Sequence, residues 1–239
     1  MLYRREKAKR SAPHEFWNTT MLVNADFSRR AIVEPHQYQW VTSPQAGVER
    51  MMLDRLGEEK ARATTIVRYA PESYFPSHSH PGGEEIFVLC GTFSEGDEHY
   101  PAGWYLRNPP GSSHQPSSQE GTVIFVKLWQ MEPDDSSRVR IDTRDPANWH
   151  VHNGREICPL FTNATEQVSL QSLRPKEALL QAPVESAELL VLNGWVVASG
   201  QLYPCGSWLR LPAGEYPDLV AGPLGATVYL KTGRMSVEA

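Results

Sequence analysis

The 239-residue sequence has no apolar run long enough to cross a membrane. Its longest, such as residues 86–89 and 123–126, fall far short of the roughly 18 residues a bilayer-spanning helix needs. Cysteine is scarce. Cys90, Cys158 and Cys205 are odd in number and show no Cys-x-x-Cys spacing, which excludes a disulfide framework and a zinc ribbon and points to a reducing cytoplasm. Cys90 closes an apolar stretch and reads as a small core residue. An excess of positive charge is also missing: with a net charge of −5 and a pI near 5.9, the body of the protein offers nucleic acid no attractive field. Basic residues crowd only into residues 1–10, which lead into Ser-Ala-Pro-His-Glu and not into an apolar core, so they do not form a secretory signal. Residues 1–20 are expected to be a basic flexible tail. Helical periodicity is nearly absent, and residues 186–192, the one ambiguous stretch, read as strand because their repeat partner does.

What is present is a folding composition and an internal repeat. Hydrophobic residues make up 40% and charged residues 21%, ordinary values for a globular protein, and the length suffices for two compact cores. Shifted by about 103 positions, the chain matches itself. Glu85, Val88, Leu89 and Gly91 fall on Glu188, Val191, Leu192 and Gly194; Tyr100, Pro101, Gly103, Leu106, Arg107, Pro109 and Gly111 fall on Tyr203, Pro204, Gly206, Leu209, Arg210, Pro212 and Gly214. One residue more of shift lays Lys127 on Lys231. Two copies of one fold are implied, divided near the polar segment 132–137, giving domains of 21–135 and 136–239. In each copy, apolar stretches of four to eight residues alternate with Gly, Pro, Asn and Ser clusters, the pattern of an all-β sandwich or barrel; residues 64–69, 85–90, 104–107 and 122–129 are the clearest strands.

Ligand chemistry concentrates in the first copy. In His78-Ser79-His80-Pro81-Gly82-Gly83-Glu84, two imidazoles two residues apart on a strand share a face, and Pro-Gly-Gly bends the chain so that Glu84 returns toward them. His114 follows the tight Pro109-Pro110-Gly111 turn and supplies a fourth donor. Borderline nitrogens beside a hard oxygen suit a divalent transition metal. His14, His36, His99, His150 and His152 match no such spacing and read as satisfied core residues.

These spacings resemble the two cupin signatures, the first running from the His pair through Glu84 to Gly91 and the second from Gly103 through Pro109 and Gly111 to His114. The finer text, His-x-His-Pro-Gly-Gly-Glu-Glu followed by residues 100–114 and 126–130, is similar to the ChrR-type cupins. That resemblance covers residues 40–131 strongly and the second copy weakly. It implies an all-β tandem cupin (jelly-roll β-barrel) repeat, a bicupin, with one divalent transition metal at His78, His80, Glu84 and His114. Zinc is implied first; iron, manganese or nickel would suit the same donors. The Asn often found four residues after the last His is Ser118 here, which removes one hydrogen bond behind the ligands. Some ChrR-type cupins are anti-sigma factors with an N-terminal His-x3-Cys-x2-Cys zinc domain. No cysteine precedes Cys90, so a sigma-factor partner is not expected.

In the second copy the four ligand positions become Gln181, Pro183, Ala187 and Pro217, so a degenerate, metal-free barrel is expected. Arg107, Lys127 and Glu85 recur as Arg210, Lys231 and Glu188 and are expected to be structural. Tyr69, Phe75, Tyr105, Arg107, Lys127 and Trp129 are candidates to line the first cavity. The functional expectation is a zinc-binding sensor or binding protein for a small molecule, a homodimer with no membrane or nucleic-acid partner. The alternative is a non-haem metal-dependent dioxygenase acting on a small ketone or aromatic substrate.

Overall fold

The structure, a computed structural model, describes residues 21–57 and 61–235. The basic tail expected over residues 1–20 lies outside these residues. The regular structure of the described chain is all strand apart from two single-turn 3-10 segments, and no helix in it is long and apolar enough to cross a membrane.

Two antiparallel sheets repeat one strand order. In the first, the order is Leu22–Val23, Val48–Leu56, Arg62–Tyr69, Thr122–Leu128, Glu84–Glu95, Trp104–Asn108, Val139–Asp142. In the second it is His150–His152, Arg155–Thr162, Glu166–Leu173, Val220–Gly233, Ala187–Ala198, Trp208–Leu211, Ala31–Val33. The last strand of each order is exchanged. Val139–Asp142, from the start of the expected second domain, pairs with Trp104–Asn108 of the first sheet, while Ala31–Val33, from the start of the expected first domain, pairs with Trp208–Leu211 of the second. The division expected at residue 135 is thus crossed in both directions.

Strand alternation sorts each barrel into an inner and an outer face. Val48, Val67, Ile86, Val88, Leu106, Ile124 and Val126 fill the first interior; Leu189, Val191, Leu209, Val228 and Leu230 fill the second. Outward residues of both sheets form a third core between the barrels, including Leu53, Phe87 and Tyr105 from one side and Leu170, Trp208 and Tyr229 from the other. Within it lie two facing rows, Arg107–Glu85–Lys127 and Arg210–Glu188–Lys231, each spanning three neighbouring strands. The rows pair across the interface. Lys231 Nζ lies 3.0 Å from Glu85, and Lys127 bonds Glu188, whose other oxygen accepts from Trp208 Nε1 at 2.8 Å. Arg107 reaches Asp135 and Glu166, and Arg210 reaches Asp54. Burial favours neutral carboxyls, but the opposing lysine charges hold both Glu85 and Glu188 below the usual carboxylate range.

Alternation is interrupted in both long central strands. Opposite the last strand of its copy, Val88 pairs with Ile124 and Cys90 with Val123, leaving Leu89 as the extra residue of a β-bulge; Leu192 is skipped in the same way in the second sheet. The bulge reverses which residues point inward. Cys90, expected in the core, is exposed for this reason. His36, His99, His150 and His152 are also at the surface and not in the core, since they occupy short edge strands and turns. His14 lies outside the described residues.

Candidate metal centre

The three histidines meet through one local strand pair. His78–His80 runs antiparallel to Ser112–His114, with His78 directly opposite His114, and the two-residue period puts His80 on the same face. A bond from the Gly111 amide to the His80 carbonyl, 2.9 Å, ties the two loops together. The ring centroids of His78, His80 and His114 stand 4.7 to 4.9 Å apart. Gly83, at φ 75°, makes the turn that starts the long strand at Glu84. Glu84 Oε2 then lies 3.4 Å from His80 Nε2 and 3.5 Å from His114 Nε2. All four residues expected as ligands are brought together.

Hydrogen bonds behind the rings orient them. The Nδ1 of His78 donates to the Pro76 carbonyl at 2.8 Å, and the Nδ1 of His114 donates to Glu95 at 2.6 Å, leaving both Nε2 atoms turned inward. His80 Nε2 and His114 Nε2 face each other at 2.9 Å. Burial lowers the pKa of His78 and His80, which favours the neutral, ligating form. Burial acts the same way on His114, but the Glu95 hydrogen bond and the Glu84 charge outweigh it and raise that pKa. Glu95 is itself desolvated, yet His114 and Arg140 hold its carboxyl at about 2. The three imidazoles form one donor group, and Glu84 joins it from the side of His80 and His114; nitrogens and a carboxylate oxygen of this kind fit a divalent transition metal.

Sequence reasoning missed the shell behind this set. Glu95 forms a second potential donor cluster with Glu84 and His114. Arg140 donates to Glu95 and to Asn108 Oδ1, each at 2.7 Å, and Asn108 donates to both Glu84 and Glu95. Glu95 lies eleven residues beyond Glu84, which simple alternation would put on the opposite face; the bulge returns it to the interior. Arg140 sits on the exchanged strand Val139–Asp142, outside the expected first domain. Ser118, where the signature suggests Asn, bonds the Thr92 carbonyl and not a histidine.

The expected cavity residues divide by face. Tyr69 and Phe75 belong to the first interior. Tyr105, Arg107 and Lys127 point the other way, into the interface between the barrels. Trp129 lies over Gly82, where an added Cβ would fall 2.4 Å from its ring, so the indole braces the loop between His80 and Glu84. At the equivalent places in the second barrel stand Gln181, Pro183 and Ala187. Its interior has a cavity of about 240 Å³ bordered by Gln167, Ser169 and Gln171, and by Arg155, whose guanidinium is bonded to Glu177, Gln171 and two backbone carbonyls.

The fold and this donor set define a cupin. Within that class, residues 28–132, the part of the chain that carries the histidines, match the family described as the ChrR cupin-like domain. No curated protein sequence matches the chain. Among solved structures, a candidate dioxygenase of Nostoc punctiforme superposes with a TM-score of 0.68 at 13% identity, covering 89% of this chain and 85% of its own. A glyoxylate-induced protein, so assigned, of Pseudomonas aeruginosa gives 0.65 at 16%, covering 98% of each chain. The Escherichia coli pirin YhhW, solved with nickel(II), gives 0.63 at 13%, covering 87% of this chain and 100% of its own. At these identities the likeness is one of fold.

Proposed function

We propose that the protein is a single-site metal-binding cupin of the sensor or binding type, holding one zinc ion through His78, His80 and His114 with Glu84 as fourth ligand. The observation that carries this reading is the convergence of three imidazoles, two of them fixed through Nδ1 so that Nε2 is free to ligate. Nickel in the neighbouring pirin supports transition-metal binding by this fold, and iron or manganese would suit the same donors. A bound ion would supply Lewis acidity toward an oxygen-bearing ligand. Elemental analysis of protein purified from its own host tests the reading. One equivalent of zinc in the wild type, lost in His78→Ala and His114→Ala, is expected; full retention in both variants would overturn the assignment.

A metal-dependent dioxygenase acting on a small ketone or aromatic substrate is the second reading. It is favoured by the half-exposed edge of the site at His78 and by the Nostoc neighbour. Steady oxygen consumption by the metal-loaded protein with a small diketone would decide for it.

A further inference from the structure

Among the described residues, Arg50 stands on the first barrel's inner wall with no hydrogen-bond partner for its guanidinium. It lies on Val48–Leu56 opposite Val67, an interior residue, and it has the same parity as Val48, so its side chain enters the barrel and not the interface. Among the described residues no carboxylate, carbonyl or hydroxyl bonds its guanidinium. Arg140, which also reaches the first interior, has Glu95; Arg155 of the second barrel has Glu177; and the interface arginines Arg107 and Arg210 have Asp135 and Asp54. Arg50 instead stands 5.8 Å from the centroid of Phe75, whose ring is 5.1 Å from that of His78. It is half-buried, and desolvation lowers its pKa. Nearby, the hydroxyl of Tyr69, a largely buried residue, makes no hydrogen bond among the described residues, and it feels the charges of both Glu84 and Arg50.

We propose that Arg50 and Tyr69 form the recognition end of a ligand site whose other end is the ion at His78, His80, Glu84 and His114, and that the ligand is a small carboxylic acid in its anionic form. The reading rests on the metal assignment above. Chemistry favours an anion. With neutral histidines, one carboxylate does not neutralise a divalent ion, Arg140 offsets Glu95, and Arg50 adds a further unbalanced positive charge. A guanidinium presents paired donors that match a carboxylate, and a partly desolvated one binds it more strongly than in water. A phenol beside it adds one directional hydrogen bond. Phe75 gives the ligand's carbon skeleton an apolar wall.

The test uses full-length protein loaded with cobalt(II), titrated calorimetrically with benzoate and pyruvate and with the neutral benzamide and pyruvamide, while the cobalt absorption bands are followed. In wild type, each acid is expected to bind at least tenfold more tightly than its amide and to perturb the cobalt bands. Arg50→Met should keep one equivalent of cobalt and the wild-type melting temperature but lose about tenfold or more in acid affinity, with the amides unaffected. Arg50→Lys should recover part of that loss, and Tyr69→Phe should weaken acid binding less than Arg50→Met does. Equal affinity of wild type and Arg50→Met for both acids, with cobalt retained, overturns the proposal and leaves the metal assignment standing. Failure of the wild type to take up any metal overturns the metal assignment and the proposal with it. Should Arg50→Met lower the melting temperature, the comparison of acid with amide in the wild type and in Arg50→Lys decides: no preference for the acids sinks the idea.

Discussion

The two barrels share a backbone and differ in what they turn inward. Their outward faces have kept the same Arg–Glu–Lys row, because each row is the other's counter-charge: Lys231 serves Glu85, and Lys127 serves Glu188. Their inward faces have diverged. The first interior holds three histidines, Glu84 and an Arg50 with no hydrogen bond among the described residues, whereas the second holds glutamines, a serine and an Arg155 whose guanidinium makes four hydrogen bonds within its own barrel. Ile157, opposite Gln171, occupies the place that Arg50 has opposite Val67. Pairing across an interface constrains both partners, while an interior position answers only to its own barrel. The shared face therefore stays fixed as the private one changes.

The sharpest way to break this comparison is at the interface. Glu188→Ala should cost about 3 to 5 kcal/mol in urea unfolding, since it leaves the buried Lys127 ammonium without its acid. Replacing both partners, as in Lys127→Met with Glu188→Leu, should recover much of that loss; if the double variant is no better than the single, the pair is not acting as a counter-charge. Next in size is the metal affinity of the first barrel. Glu95→Gln and Arg140→Ala should each weaken metal binding 10- to 100-fold in chelator competition, because His114 loses the carboxylate that orients it. Arg140→Lys should restore part of the affinity. Unchanged affinity in Arg140→Ala would mean that the exchanged strand only completes the sheet.

Acid should act on the shared face. Glu85 and Glu188 have folded pKa values below the ordinary 4.5, so their stabilising contribution is fully present above that value and is lost as pH falls through the depressed ones. Unfolding free energy should therefore decline below about pH 4.5, and the slope should flatten in Glu188→Gln. A slope identical to wild type would place the acid sensitivity elsewhere. The smallest effect is expected at Ser118→Ala, about 1 kcal/mol for one buried hydrogen bond to the Thr92 carbonyl, with metal affinity unaltered. A weakened site in that variant would show that Ser118 still does what the signature's Asn does.

How far the site could be read in advance depended on sequence distance. His78, His80 and Glu84 are local, and one strand and one turn place them; His114 comes from a turn that announces itself in Pro-Pro-Gly. Glu95 was hidden because the bulge at Leu89 reverses strand parity, and the same reversal exposes Cys90. Arg50 and Arg140 carry no motif. One reaches the site by strand pairing and the other by strand exchange, and neither leaves a periodic trace near the ligands.

By itself the sequence determined the all-β class and pointed to the duplication and to four candidate donors, because period-two alternation, turn residues and ligand spacing are properties of short segments. Only the tertiary structure decided which strands complete which sheet, that the repeated Arg, Glu and Lys pair across the barrels, and that Arg50 faces the histidines without a partner. Those facts depend on contacts between residues far apart in the chain, and the free energy of burying charge is set by what stands opposite it and not by its neighbours in sequence.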